Sequence, residues 1–237
     1  MNPLSGVLGE AWKIYRAHAL HLLAIAFVIY LAAAIAAGVL ALAGGIFGAL
    51  LGSVVEVFAA FLVQAALVKA VQDVRDGRAD LSVGETVSAA TPYIWPVAAA
   101  SILAGIAITI GFVLIIVPGL YLITIWAVIV PVVVIERSGA LASFGRSRQL
   151  VQGSGWHVFG TLVVVFVILL AVDIVLGLIF VALPVLLRSG LSTVVSGTIV
   201  APFLALVVTL IYYRLSGAPG GGQGAAAGRP DGGYGAA

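Results

Sequence analysis

The sequence has 237 residues, of which 63% are hydrophobic and only 8% are charged. A soluble domain has roughly a quarter charged residues, so this composition excludes a soluble globular protein and indicates an integral membrane protein. The net charge of +2 gives no sign of nucleic-acid binding, and the lack of cysteine excludes disulfides, thiolate metal sites and lipidated cysteines.

Three apolar blocks follow one another along the chain, and each is too long for one transmembrane helix. The first, residues 19–70, would extend roughly 78 Å as a helix, against a hydrocarbon core of roughly 30 Å. Each block is therefore predicted to hold two spans, with turns near residues 43–48, at Pro118-Gly119 and at 188–190. The predicted spans cover residues 19–42, 47–70, 97–117, 119–135, 158–183 and 191–213.

A polar stretch precedes each pair of spans and is predicted to form an amphipathic helix on the membrane surface. In the first stretch, apolar residues recur at helical spacing between Glu10, Lys13 and Arg16. The three predicted surface helices cover residues 3–18, 81–91 and 139–152. The sequence thus predicts an all-α membrane domain over residues 1–215, with three hairpins of two spans. Residues 216–237 form a Gly/Ala-rich tail that is predicted to be disordered and cytoplasmic.

The basic residues lie almost entirely on one side of this arrangement. Only Arg188 falls on the other side. By the positive-inside rule the basic side is cytoplasmic, which places both termini in the cytoplasm. The abundance of Ala and Gly, with lysine only at Lys13 and Lys69, favours a GC-rich bacterial genome and hence the bacterial inner membrane.

Several short motifs occur one after another along the predicted spans and the segments between them. They are Asp76-Gly77-Arg78, Gly84-Glu85, Val117-Pro118-Gly119, Pro131, Glu136, Arg146-Ser147 with Leu150, Gly153 and Trp156, and Tyr212-Tyr213-Arg214-Leu215. In this order they resemble the glycerophosphoryl diester phosphodiesterase membrane-domain family and its YciC-like relatives, which are six-span prokaryotic membrane proteins. The resemblance covers about residues 77–215. It implies membrane residence rather than hydrolysis, because the barrel of such hydrolases needs roughly 250 residues outside the membrane.

Two acids fall inside the predicted spans, where an ionised side chain costs roughly 2.5 to 3.5 kcal/mol. Glu56 lies in the second span with Gln64 two turns further along the same helix, and Asp173 lies in the fifth span. One hypothesis is that Glu56, Gln64 and Asp173 line a polar cavity that shares a proton or binds a cation or a polar head group. Alternatively, each acid is protonated, or reaches the outer interface near Arg188.

Basic and aromatic residues of two surface helices form a second candidate site. Arg146 and Arg148, together with Trp156, are predicted to bind anionic lipid head groups, as are Lys13 and Arg16. Each basic residue near a membrane surface adds about 1 kcal/mol to such binding. The alternative is that these residues only fix the topology.

Gly44, Gly48 and Gly52 recur at every fourth position at the end of the first hairpin. Small residues at this spacing let helices approach closely, which could support a homo-oligomer. The alternative is a glycine-rich turn without a specific partner.

No reaction motif is present in the sequence. Ser147 and Ser154 lack a candidate base, and neither a G-x-S-x-G elbow nor a phosphate-binding loop occurs. We therefore expect a non-enzymatic protein without metal or cofactor, whose partners are membrane lipids and whose role is lipid-interacting or membrane-organising. The alternative function is a small transporter or lipid-translocating protein that uses the intramembrane acids, and an intramembrane enzyme ranks third.

Overall fold

A computed structural model describes residues 4–76, 81–183 and 185–217, and all regular elements in these ranges are helices. The α-helices are α1 (Val7–Ala17), α2 (Ala19–Arg75), α3 (Val83–Ala90), α4 (Ile94–Leu114), α5 (Ile116–Ile125), α6 (Ile129–Ile135), α7 (Ala140–Val151), α8 (Gly155–Phe180) and α9 (Val185–Ser216). Five helical stretches among the described residues are long and apolar enough to cross a membrane: Ala19–Arg75, Val83–Leu114, Ile116–Ile135, Gly155–Phe180 and Gly190–Ser216. The predicted all-helical, multi-pass class is thus confirmed, while the predicted disordered tail from residue 218 onward lies outside the described residues.

Helices α1, α3 and α7 lie within the three stretches that were predicted to be surface helices. Helix α3 starts with a capping box, in which the Ser82 hydroxyl accepts the Glu85 N–H at 3.3 Å. In return, the Glu85 carboxylate accepts the Ser82 backbone N–H at 2.8 Å. These reciprocal bonds satisfy two N–H groups that a helix start leaves free, and so fix where α3 begins.

Helix α2 is interrupted at Gly45, within the stretch predicted to turn. Gly45 has φ 55° and ψ −132°, a conformation that is essentially restricted to glycine. We call residues 19–44 the first arm of α2 and residues 46–75 the second arm. A Cβ atom on Gly52 would lie 3.0 Å from the Ala37 Cα atom, so the two arms contact each other beside Gly45.

Two of the three glycines that recur at every fourth position pack against the first arm of α2 in the same chain. Gly48 and Gly52 are buried in α2, where a larger side chain would meet the first arm, whereas Gly44 is exposed. Because close packing of the arms already occupies Gly48 and Gly52, they offer no exposed small-residue face to a second copy. Gly48 and Gly52 thus have a packing role within the chain, and the predicted oligomer contact through Gly44, Gly48 and Gly52 stays a prediction.

The turn between the third and fourth predicted spans lies at Ile115, three residues before its predicted position at Pro118-Gly119. Ile115 is extended, with φ −160° and ψ 141°, and α5 begins directly after it. Pro118 lies in the first turn of α5, where the missing N–H would have had no partner within the helix. A proline at this place therefore does not mark the turn itself.

The fourth predicted span is broken into α5 and α6, with residues 126–128 between them. Pro131 is the third residue of α6 and cannot donate the backbone hydrogen bond that would join it to Ala127. The helix is thus interrupted near Pro131, as predicted, and the interruption begins five residues before the proline.

Buried side chains concentrate where the second arm of α2, α6 and α9 pack together, at the end of the molecule that carries α1, α3 and α7, which we call the surface-helix end. Leu67, Val132 and Leu210 are completely buried there. At the opposite end, apolar side chains such as Leu42 and Val113 are exposed, as is normal for surfaces that face lipid. The protein core is therefore displaced toward the surface-helix end.

Candidate functional site

Helix α7 carries the two arginines that were predicted to bind head groups, and the structure distinguishes them. The Arg146 Nε atom lies 3.0 Å from each carboxylate oxygen of Glu136. The Tyr212 hydroxyl donates to the same carboxylate at 3.0 Å. The Arg146 side chain is exposed, but its charge is paired with Glu136, whose carboxylate also links α7 to Tyr212 of α9.

Arg148, one helical position beyond the buried Ser147, is exposed, and its guanidinium forms no hydrogen bond or ion pair with any described residue. Lys13 and Arg16 on α1 are likewise exposed and have no such partner in the part of the chain that the structure describes. Trp156 is 85% exposed at the start of α8, as expected of an aromatic side chain at a membrane interface. All four side chains therefore lie on the outside of the surface-helix end.

Helix α1 is attached to α9 and α2 through the carboxylate of Glu10. The Glu10 carboxylate lies 2.7 Å from Arg214 Nη2 and 3.8 Å from Arg75 Nη1. The Arg75 guanidinium also lies over the Tyr213 ring, 4.3 Å from its centroid. Because the charge of Glu10 is balanced within the molecule, it does not neutralise Lys13 on the outer face.

A second contact, a hydrogen bond from a tyrosine hydroxyl, also holds α1 against α9. The Tyr15 hydroxyl donates to the Ile199 carbonyl oxygen at 3.2 Å, and its ring packs edge-on against Phe203. Burial raises the pKa of Tyr15, so the hydroxyl keeps the proton it donates. Val7 and Ala11 are buried on the side of α1 that faces the bundle. The cations Lys13 and Arg16 are exposed on its other side.

The intramembrane acids have separate surroundings. Glu56 is half-buried on the second arm of α2, as is Gln64, and Glu56 forms no hydrogen bond or ion pair with a described residue. Asp173, on α8, is exposed and accepts a hydrogen bond from the Ser196 hydroxyl on α9. No bond joins Glu56 to Asp173 within the described ranges, so the shared polar cavity stays a prediction.

Ser147 has a structural contact that sequence reasoning missed. Its buried hydroxyl donates to the Ile125 carbonyl oxygen at 2.9 Å. In an unbroken helix Ile129 would donate to that oxygen, but here Ile129 donates to Trp126 at 3.2 Å. Ser147 therefore satisfies a carbonyl that the break in the fourth span leaves free, and couples α7 to that break.

Comparison of the chain with family models, with curated proteins and with solved structures finds no match. No family is therefore assigned, and the resemblance to the phosphodiesterase membrane-domain family stays a prediction. Among the described residues, no group of three or more His, Asp or Glu side chains is placed to hold a metal ion.

Proposed function

We propose that this chain is a non-enzymatic, multi-pass protein of a bacterial inner membrane that binds anionic lipid head groups through its surface helices. The observation that supports the proposal is the charge arrangement at the surface-helix end. Glu10 and Glu136 are paired within the molecule, whereas Lys13, Arg16 and Arg148 point outward without a described partner. A cation near an anionic membrane surface gains about 1 kcal/mol, so this end favours acidic lipids.

The proposal includes six spans, of which α2 contributes two. Gly45 interrupts α2, its arms contact each other, and each arm exceeds the roughly 20 residues that cross a bilayer. Helices α5 and α6 together form one broken span. The spans then form three hairpins, each after a surface helix, and the positive-inside rule places both termini in the cytoplasm.

This orientation predicts the behaviour of reporter fusions. Alkaline phosphatase, which is active only in the periplasm, is expected to be inactive when fused after Leu215 and active when inserted at Gly45. Gly45 lies at the bend between the two arms of α2, which is remote from the surface helices. Activity is measured in whole bacterial cells, and an active fusion at Leu215 would contradict the cytoplasmic C-terminus.

Lipid binding predicts that phosphatidylglycerol is enriched over phosphatidylethanolamine among lipids that co-purify in mild detergent. Arg148→Ala is expected to reduce this enrichment about fivefold, which corresponds to losing one surface cation. Lys13→Ala and Arg16→Ala are expected to reduce it further. The lipids are quantified by mass spectrometry of the extracted protein.

Arg148→Lys is the matched control, because it retains the charge and is expected to keep most of the enrichment. The proposal would be refuted by wild-type protein without any preference for phosphatidylglycerol, or by an unchanged preference in the triple alanine variant.

The contact between Asp173 and Ser196 supports a second candidate function, lipid translocation. It places a polar pair on two helices that are long and apolar enough to span the membrane, where such groups commonly mark a substrate path. If this function holds, wild-type protein in vesicles will equilibrate a fluorescent lipid between leaflets. A Glu56→Gln, Asp173→Asn double variant will then do so markedly more slowly. Wild-type vesicles no faster than protein-free vesicles would exclude this function.

A further inference from the structure

A groove of about 320 Å³ opens between α4, the break that separates α5 from α6, and α8. The residues that line it include Ser101, Gly105, Ile108, Ile123, Trp126 and Leu162. Most of the lining is apolar, and a Cβ atom on Gly105 would meet no other atom within 4 Å. The groove therefore owes part of its space to the absence of a side chain at Gly105.

The groove runs along the spans rather than across them. Ser101 and Ile108 both line it and are seven residues apart on α4, which corresponds to about 10 Å of helix. Its volume is at the lower end of the roughly 300 to 1,000 Å³ that is typical of small-molecule sites. An apolar, elongated space of this size, parallel to a membrane helix, fits part of a hydrocarbon chain.

A cation without a described partner lies on α7, the helix that contacts the groove lining. Trp126 lines the groove, and its ring packs edge-on against Phe144 of α7 with 4.8 Å between the ring centroids. Arg148 follows Phe144 by four residues, so both side chains lie on the same face of α7. Arg148 is exposed and unpaired among the described residues, which leaves its guanidinium available to an anion.

We propose that the groove binds one acyl chain of an anionic phospholipid whose phosphate contacts Arg148. The inference rests on the proposed function and adds a defined site to it, with the chain between α4 and α8 and the head group on α7. The occupant is an acidic lipid rather than a free phosphate, because the apolar groove and the cation act on the two ends of one amphipathic molecule.

Fluorescence quenching tests the site in the full-length protein in mild detergent. The titrants are phosphatidylglycerol and phosphatidylcholine with brominated acyl chains, since bromine quenches an indole that it contacts. Phosphatidylglycerol is expected to quench part of the emission in a saturable way, and Trp126→Phe is expected to lack that part. Arg148→Ala should raise the midpoint about fivefold.

Gly105→Leu and Ser101→Leu each place a larger side chain in the groove, and both are expected to abolish the saturable quenching. Gly177→Leu is the matched control, because Gly177 is an α8 glycine with equally open space and does not line the groove. Its titration is expected to match that of the wild type. Two independent filling variants guard against one that merely misfolds.

The outcomes separate this inference from the proposed function. Unchanged quenching in both filling variants, together with a loss of phosphatidylglycerol preference in Arg148→Ala, would overturn the groove and leave the head-group site intact. Equal quenching of the wild type by the two lipids would overturn the anionic ligand of the groove, whereas the proposed function fails only if phosphatidylglycerol is not enriched among the co-purified lipids.

Discussion

Replacing Gly48 with alanine is expected to destabilise the detergent-solubilised protein by about 3 kcal/mol, at the upper end of the usual cost of overpacking. A Cβ atom at this position would overlap the Leu40 carbonyl oxygen and lie 2.7 Å from the carbonyl carbon. Both are backbone atoms, which cannot rotate aside as a flexible side chain could. The two arms of α2 would have to separate, and the loss is measured as a lower midpoint of thermal unfolding.

Gly44→Ala provides the matched control. Gly44 lies four residues earlier in the same helix and is exposed, and a Cβ atom on it would meet no other atom within 4 Å. Its substitution is expected to change the free energy of unfolding by less than about 1 kcal/mol, since surface changes are usually small and alanine favours helix. Equal losses in Gly44→Ala and Gly48→Ala would show that close contact of the arms is not what stabilises α2.

Ser147→Ala is expected to lower the free energy of unfolding by about 1 to 3 kcal/mol, the usual cost of a buried polar group left without a partner. The variant removes the only described side-chain donor to the Ile125 carbonyl oxygen, at a break that Pro131 prevents from closing. Little water is available at this buried position to replace the bond. The change is measured by thermal unfolding in the same detergent.

Ser143→Ala separates this effect from the general loss of a buried hydroxyl. Ser143 is on the same helix and equally buried, but its hydroxyl donates to the Ala140 carbonyl oxygen of its own helix at 2.6 Å. That oxygen lies within α7 and can keep its backbone partner, so a much smaller loss is expected. If the two variants were equally destabilised, the bond across the break would have no special role.

The helices themselves could be predicted because their signals are local. Apolar residues at helical spacing locate α1, and the length of the apolar blocks shows that α2 and α4 are long enough to cross a membrane. The turn that was predicted near residues 43–48 includes Gly45, where α2 is interrupted. The predicted turn at Pro118-Gly119 is wrong by three residues because a proline fits the first turn of a helix as well as a loop.

The candidate site could be predicted only in part, because its pairing depends on distant contacts. Arg146 and Arg148 are equivalent in sequence, and only the fold brings Glu136 and Tyr212 to the first of them. One missed feature did have a local signal: Ser82 followed by Glu85 at the third position is the pattern of a capping box.

The bond from Ser147 to Ile125 has no such signal, since its partners are 22 residues apart and the acceptor is a backbone atom. The groove was also beyond sequence reasoning, because its walls come from α4, α8 and the break before α6. The spacing of residues along one helix can be read from the sequence. Which helix packs against each face, however, depends on the packing of the whole bundle.

Because the buried core is displaced toward the surface-helix end, the two ends of the molecule have different surroundings. Near the surface helices, protein contacts fix the distances between helices, so the lipid composition has little influence on them. Around Leu42 and Val113 the neighbouring atoms are supplied by the membrane, whose thickness and chain order then become part of the tertiary structure. Shorter acyl chains or harsh detergent would therefore loosen one leaflet's half of the protein while the other half kept its shape.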